Sequence, residues 1–135
     1  MDATMTNRAP VLLGDATWWG TLAAARDLGS RGVAVTLASD VGIAPARWSR
    51  YVARTIRCPG NGDPAWVLEW LQDFGRQSPG YVLYPTSDEI AWLVAAHRDA
   101  LSPHYRLYAP PIEALTCLLD KHRLGQAAGN HGPHA

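Results

Sequence analysis

Short apolar runs alternate along the chain with stretches of helical periodicity, and that alternation predicts its elements. Pro10-Val11-Leu12-Leu13-Gly14-Asp15 is an apolar run closed by a glycine, which suits a buried strand. Trp18, Leu22, Ala25 and Leu28 then recur at helical spacing, with Arg26 and Asp27 on the other side and Gly29 and Gly32 as a stop. Val33-Ala34-Val35-Thr36-Leu37-Ala38 is apolar on both alternating sets, the pattern of a strand buried on both faces of a parallel sheet. Residues 39–50 read as loop or short helix. Residues 51–57 alternate, as expected of a strand nearer the sheet edge.

Turn chemistry then fills residues 59–64. With Asp63 as N-cap, Pro64 takes the first helical position, where its missing N–H costs nothing. Trp66, Val67, Trp70, Leu71 and Phe74 mark one apolar helix face, with both tryptophans expected in the core. Tyr81-Val82-Leu83-Tyr84 is a strand stopped by Pro85. Thr86-Ser87-Asp88-Glu89 opens a helix whose apolar face is Ile90, Leu93 and Val94, with His97 at its far end. A short strand is expected within residues 105–108. Pro110-Pro111 starts a helix through Leu115, Leu118 and Leu119, and Asp120-Lys121 a shorter one with Leu124, Ala127 and Ala128. Residues 129–135 lack periodicity and are expected to fray. Strands and helices taking turns in this way predict an α/β fold: three layers, doubly wound, around a mostly parallel sheet of about five strands.

Composition narrows the function classes without choosing one. Of 135 residues, 47% are hydrophobic and 18% charged, enough for a core. Twelve Lys plus Arg balance twelve Asp plus Glu, so no excess positive field recruits nucleic acid or an anionic membrane. No apolar run approaches the ~18 residues of a membrane span. The first eight residues lack the apolar segment of a signal peptide, so a cytoplasmic protein is expected. Cys58 and Cys117 build neither a disulfide framework nor a zinc site and are expected as buried structural thiols.

Candidate chemistry gathers at two strand ends. Gly14-Asp15-Ala16-Thr17-Trp18-Trp19-Gly20 follows the first strand, where open parallel sheets hold ligands and a helix N-terminus offers N–H groups. The spacing matches neither a dinucleotide fingerprint nor a P-loop, and a helix capped by Asp15 or Thr17 accounts for it equally well. Asp40 closes the second strand as an ordinary turn residue. Thr86, Ser87, Asp88 and Glu89 put two hydroxyls and two carboxylates at another strand's end. Thr86 and Glu89 have capping-box spacing, and capping leaves room for substrate contact. The histidines, 97, 104, 122, 131 and 134, are scattered. Gly132-Pro133 argues against a helical His131-x-x-His134 metal pair.

Taken in order, four pieces resemble the N-terminal region of ATP-grasp carboxylate–amine ligases. They are Val11-Leu12-Leu13-Gly14-Asp15 with a helix into Leu28-Gly29-x-x-Gly32; Ser49-Arg50-Tyr51 leading to Ile56-x-x-Pro59; Leu83-Tyr84-Pro85-Thr86-Ser87-Asp88-Glu89; and Leu119-Asp120-Lys121 ahead of Ala128-Gly129. The resemblance covers residues 10–129. It implies a Rossmann-like preliminary domain over residues 10–119, behind a disordered N-terminus at residues 1–9. Residues 120–135 would be a stub of the ATP-grasp domain with a frayed tail. In that family ATP and magnesium activate a carboxylate to an acyl phosphate, which an amine attacks. The resemblance places Gly14, Asp15, Thr86, Ser87, Asp88 and Glu89 toward a small carboxylate substrate. It places Lys121 toward the nucleotide phosphates. A solvated helix lysine is the alternative for Lys121.

The family continues for well over a hundred residues beyond this point, and residues 130–135 depart from its pattern. The expectation is a truncated, frameshifted or cut chain, inactive alone, without tight ATP or magnesium binding. Its last helices, lacking the missing ATP-grasp domain, would favour self-association into a homo-oligomer. Two rival readings remain. One is a small NAD- or nucleotide-binding module carried by Gly14, Gly20 and Asp40. The other is a stand-alone domain for a small acid or a protein partner.

Overall fold

A computed structural model describes residues 8–14, 16, 18–40, 43–59 and 63–120. The elements, in order, are β1 (Val11–Leu13), α1 (Trp19–Ser30), β2 (Val35–Ser39), a 3-10 turn (Pro45–Trp48), β3 (Val52–Arg57), α2 (Pro64–Gln77), β4 (Val82–Tyr84), α3 (Asp88–Ala96), α4 (Arg98–Leu101), β5 (Arg106–Leu107) and α5 (Ile112–Leu119). The five strands form one sheet in the order β3-β2-β1-β4-β5. Every pairing is parallel, so the α/β expectation holds. Strand order reverses between β1 and β4, because the chain winds outward from β1 to β3 and then returns to the other side of β1.

Strand periodicity explains the two cores. Val11 and Leu13 point to one face of the sheet and Leu12 to the other. On the first face Val35 and Leu37 join them beneath Leu22 and Ala25 of α1. On the second, Leu12, Ala38 and Leu83 meet Val67 and Leu71 of α2, Ile90, Leu93 and Val94 of α3, Leu101 and Tyr105. β1 and β2 are buried along their whole length, as continuous apolar runs require. β3 is an edge strand, largely exposed. A register shift puts Val52 opposite Val35 but Arg54 opposite Thr36, so Ala53 is an extra residue. A bulge and exposed arginines are how edge strands discourage unwanted pairing.

Helix starts follow local chemistry. The Asp63 side chain accepts the Ala65 N–H at 3.0 Å, and Pro64 occupies the first position of α2. Replacing Asp63 by Ala is expected to lower stability by about 1 kcal/mol, read as a lower urea midpoint at unchanged slope. α1 starts differently from expectation. Its N-cap is Trp18, with no side-chain cap; Asp15 and Thr17 lie outside the described residues.

Several other expectations need correction. Trp66 is 66% exposed, because Val67, Leu71 and Gly75 hold the inward line of α2 and Trp66 stands one position off it. Trp70 is partly buried and stacks on Phe74, which meets Tyr81 edge-on. Trp18 and Leu118 are exposed too. Cys58 and Cys117 are partly, not fully, buried. Gly75 is the unforeseen contact: a β-carbon there would lie 2.7 Å from both His104 and the Tyr105 ring. Tyr105 donates its hydroxyl proton to the Leu71 carbonyl at 2.5 Å. Burial pushes its phenol well above the usual tyrosine range, partly offset by a backbone hydrogen bond from Gly75.

Of the N-terminus expected to be disordered over residues 1–9, residues 1–7 lie outside the described residues, as do the helical piece and tail beyond Asp120. No helix among the described residues is long and apolar enough to cross a membrane.

Candidate functional site

The site is built where β1 and β4 part company. In an open parallel sheet, the loops leaving two neighbouring strands toward opposite faces open a crevice at their carboxyl ends. α1 leaves β1 toward one face, and α3 leaves β4 toward the other. Between them lies a cleft of about 330 Å³, lined by Gly20 and Ala24 of α1, Tyr84 to Asp88 and Ala91 of α3.

Small residues on both helices keep the cleft open: a β-carbon on Gly20 would meet nothing within 4 Å. Tyr84 lines one wall. Its ring stacks against Tyr108, with centroids 5.2 Å apart and planes 7° from parallel. The polar rim comes from Thr86, Ser87 and Asp88. Ser87 is the N-cap of α3, and its Oγ accepts the Ile90 N–H at 3.3 Å. The cap therefore falls one residue later than the Thr86–Glu89 spacing predicts. Asp88 and Glu89 instead occupy the first helical turn, where the helix dipole favours carboxylates. That self-neutralisation matters chemically. The positive end of α3 already faces two acids of its own. The rim therefore offers a hydroxyl donor from Ser87 beside a carboxylate acceptor from Asp88, rather than a bare anion hole.

A second cleft, also about 330 Å³, flanks α3 on its far side. It is lined by Pro64 and Val67 of α2 with Asp88, Glu89, Ile90, Trp92 and Leu93. It is almost wholly apolar and lies along one face of the sheet, away from the crevice, so it is the poorer place for polar chemistry.

The sequence-derived candidates thus divide. Thr86, Ser87 and Asp88 come together on the crevice; Asp88 and Glu89 also border the apolar cleft. Gly14 ends β1, where its N–H donates to the Tyr84 carbonyl at 3.3 Å and its Cα packs on Ile90. A β-carbon on Gly14 would sit 2.9 Å from Ile90 Cγ2. Ile90 is buried and branched, so it cannot swing aside. Gly14→Ala is expected to cost about 1–3 kcal/mol in chemical unfolding and to shift the start of α3. Asp15 and Lys121 lie outside the described residues. Asp40 is exposed beyond β2 and does not line the crevice. Sequence reasoning missed Tyr84, Ala24 and Ala91 as lining residues. Strand and helix periodicity marks them only as wall material.

Solved structures share this fold, and one of them is an amino acid ligase. The crystal structure of L-amino acid ligase from Bacillus licheniformis superposes on the chain with a TM-score of 0.64 at 16% sequence identity, covering 96% of this chain and 32% of that one. The chain thus spans about a third of the length of the L-amino acid ligase, and at this identity the likeness establishes the fold alone. No protein-family model matches the chain, and no curated protein matches it significantly in sequence.

Among the described residues, no three His, Cys, Asp or Glu side chains are grouped so as to hold a metal ion.

Proposed function

We propose that this chain is the substrate-side domain of an ATP-dependent carboxylate–amine ligase of the ATP-grasp type. The observation that carries the reading is the coincidence of two things. The chain matches about a third of an L-amino acid ligase over 96% of its own length, and a crevice with a polar rim sits at the β1/β4 switch point. Each supports the other, since fold likeness alone says nothing about chemistry.

In this reading the crevice takes a small α-amino acid. Hydroxyl donors at Thr86 and Ser87 meet its carboxylate. Asp88 meets its ammonium group, an arrangement that fixes orientation rather than making or breaking a bond. Tyr84 gives the side chain an apolar wall. Phosphoryl transfer belongs to a different part of the enzyme, and the described chain on its own positions a substrate.

Calorimetric titration with a panel of L-amino acids tests this. Weak saturable binding is expected for some of them, lost by about tenfold or more in Asp88→Asn, because a charge-assisted contact becomes a neutral one. Absence of binding across the panel, or binding indifferent to Asp88→Asn, contradicts the reading. Amine-dependent ATP turnover by the purified chain contradicts the assignment of catalysis elsewhere.

A further inference from the structure

We propose that the opposite, amino end of the sheet carries a second site, for a phosphate monoester joined to a planar ring. The overall neutrality of the chain conceals how its charges are divided. Residues 8–57 hold seven arginines against three aspartates, whereas residues 58–120 hold three arginines against eight acids. Exposed arginines therefore crowd the side of the fold built by α1, the 3-10 turn and β3, among them Arg26, Arg50, Arg54 and Arg57. Such a field attracts anions however small the net charge.

That side has a cleft of about 420 Å³, lined by Arg26 of α1 and by Trp48, Ser49, Arg50 and Tyr51 just before β3. Its size suits one small molecule. Because all strands are parallel, the start of β3 lies at the end of the sheet away from the β1/β4 crevice. The proposal is thus independent of the ligase reading.

Each lining group is prepared for this ligand. Arg50 donates from Nη2 to the Tyr51 hydroxyl at 2.9 Å, and its guanidinium carbon lies 4.9 Å from that ring's centroid. The side chain is thereby held in one orientation with most of its N–H groups still available, the geometry in which arginine recognises phosphate. Ser49 Oγ accepts the Tyr51 N–H at 3.2 Å and so keeps its own proton to donate. Asp27, the acid next to Arg26 in sequence, is turned to Arg31 at 3.1 Å. No ion pair among the described residues involves Arg26 or Arg50. Trp48, 76% exposed, lines the same cleft as these cations. Two guanidiniums without an ion pair among the described residues, a hydroxyl donor and an exposed aromatic side chain within one small cleft match a phosphate and a stacked ring.

The test titrates the 15N-labelled chain, followed by amide shifts, with adenosine 5'-monophosphate, adenosine, inorganic phosphate and a single-stranded oligonucleotide. The monophosphate is expected to saturate shifts around residues 26 and 48–51. Adenosine and phosphate, each offering half the contacts, are expected to bind about tenfold or more weaker. Arg50→Gln and Arg26→Gln are expected to weaken the monophosphate about tenfold each, with unchanged thermal melting because both side chains are exposed. Trp48→Ala should weaken the monophosphate but not inorganic phosphate. Absence of saturation, shifts located elsewhere, or affinity unaltered in the double arginine variant would overturn the proposal. So would an oligonucleotide binding far tighter than the monophosphate with a steep salt dependence, which assigns the basic edge to a nucleic-acid strand instead.

Discussion

Gly29→Val is expected to be the most damaging single change in α1, at about 3 kcal/mol or more. Gly29 lies in the last turn of the helix, where it meets the backbone leading into β3. A β-carbon placed there would come within 2.5 Å of Tyr51 Cβ and 2.8 Å of the Tyr51 carbonyl oxygen. Neither obstacle is the tip of a flexible side chain, so relief requires moving the helix or the strand. Even Gly29→Ala, which on helix propensity alone gains about 1 kcal/mol, is expected to destabilise. Gly20, in the same helix, is the internal control. Nothing lies within 4 Å of a β-carbon there, so Gly20→Ala is expected to gain about 0.5 kcal/mol or leave stability unchanged, while narrowing the crevice. Urea unfolding of the three variants checks the opposite signs. Equal effects at both glycines would mean that the Gly29–Tyr51 approach does not exist.

Leu83→Ala is the second large effect, at about 2–5 kcal/mol. Leu83 is at the centre of β4, fully buried, between Leu12 of β1 and Leu107 of β5, and under the Ile90 and Leu101 side chains. Neighbours supplied by two strands and two helices cannot collapse together into the space left. Total stability for a domain is about 5–15 kcal/mol, so this loss is a large fraction of the whole. Trp66→Ala removes a far larger side chain but one mostly in water, and is expected to change stability by about 0.5 kcal/mol or less. Comparing the two midpoints asks directly whether Leu83, and not the tryptophan, lies in the core. Because Leu83 adjoins Tyr84, Leu83→Ala should also loosen the crevice wall and weaken any ligand held there.

Much of the fold was legible because parallel sheets leave a plain mark. Strands buried on both faces, as in β1 and β2, read as unbroken apolar runs, and helices between them as period-3.6 stripes. What escaped was set by contacts distant in sequence. Gly75 lies within α2 with His104 and Tyr105 packed close against it, a contact that no local pattern announces. Trp66 looked like core because its hydrophobicity says nothing of which edge of a wide stripe faces inward. At the site, the polar cluster after β4 was legible from composition at a strand end. The exact cap was not: Thr86 and Ser87 can both fill that role, and only the start of α3 decides for Ser87. The basic cleft was hidden by the neutral total, since Arg26 and Arg50 belong to segments far apart in sequence that only the fold brings together.

The most direct test of the ligase reading is where an amino acid ligand lands. The 15N-labelled chain should be titrated with an L-amino acid that binds in calorimetry, and its amide shifts followed. Changes concentrated at Gly20, Ala24 and residues 84–91, and abolished by Asp88→Asn, are the predicted result. Saturating shifts confined to the apolar cleft around Val67 and Trp92, or to the amino end of the sheet, would contradict it.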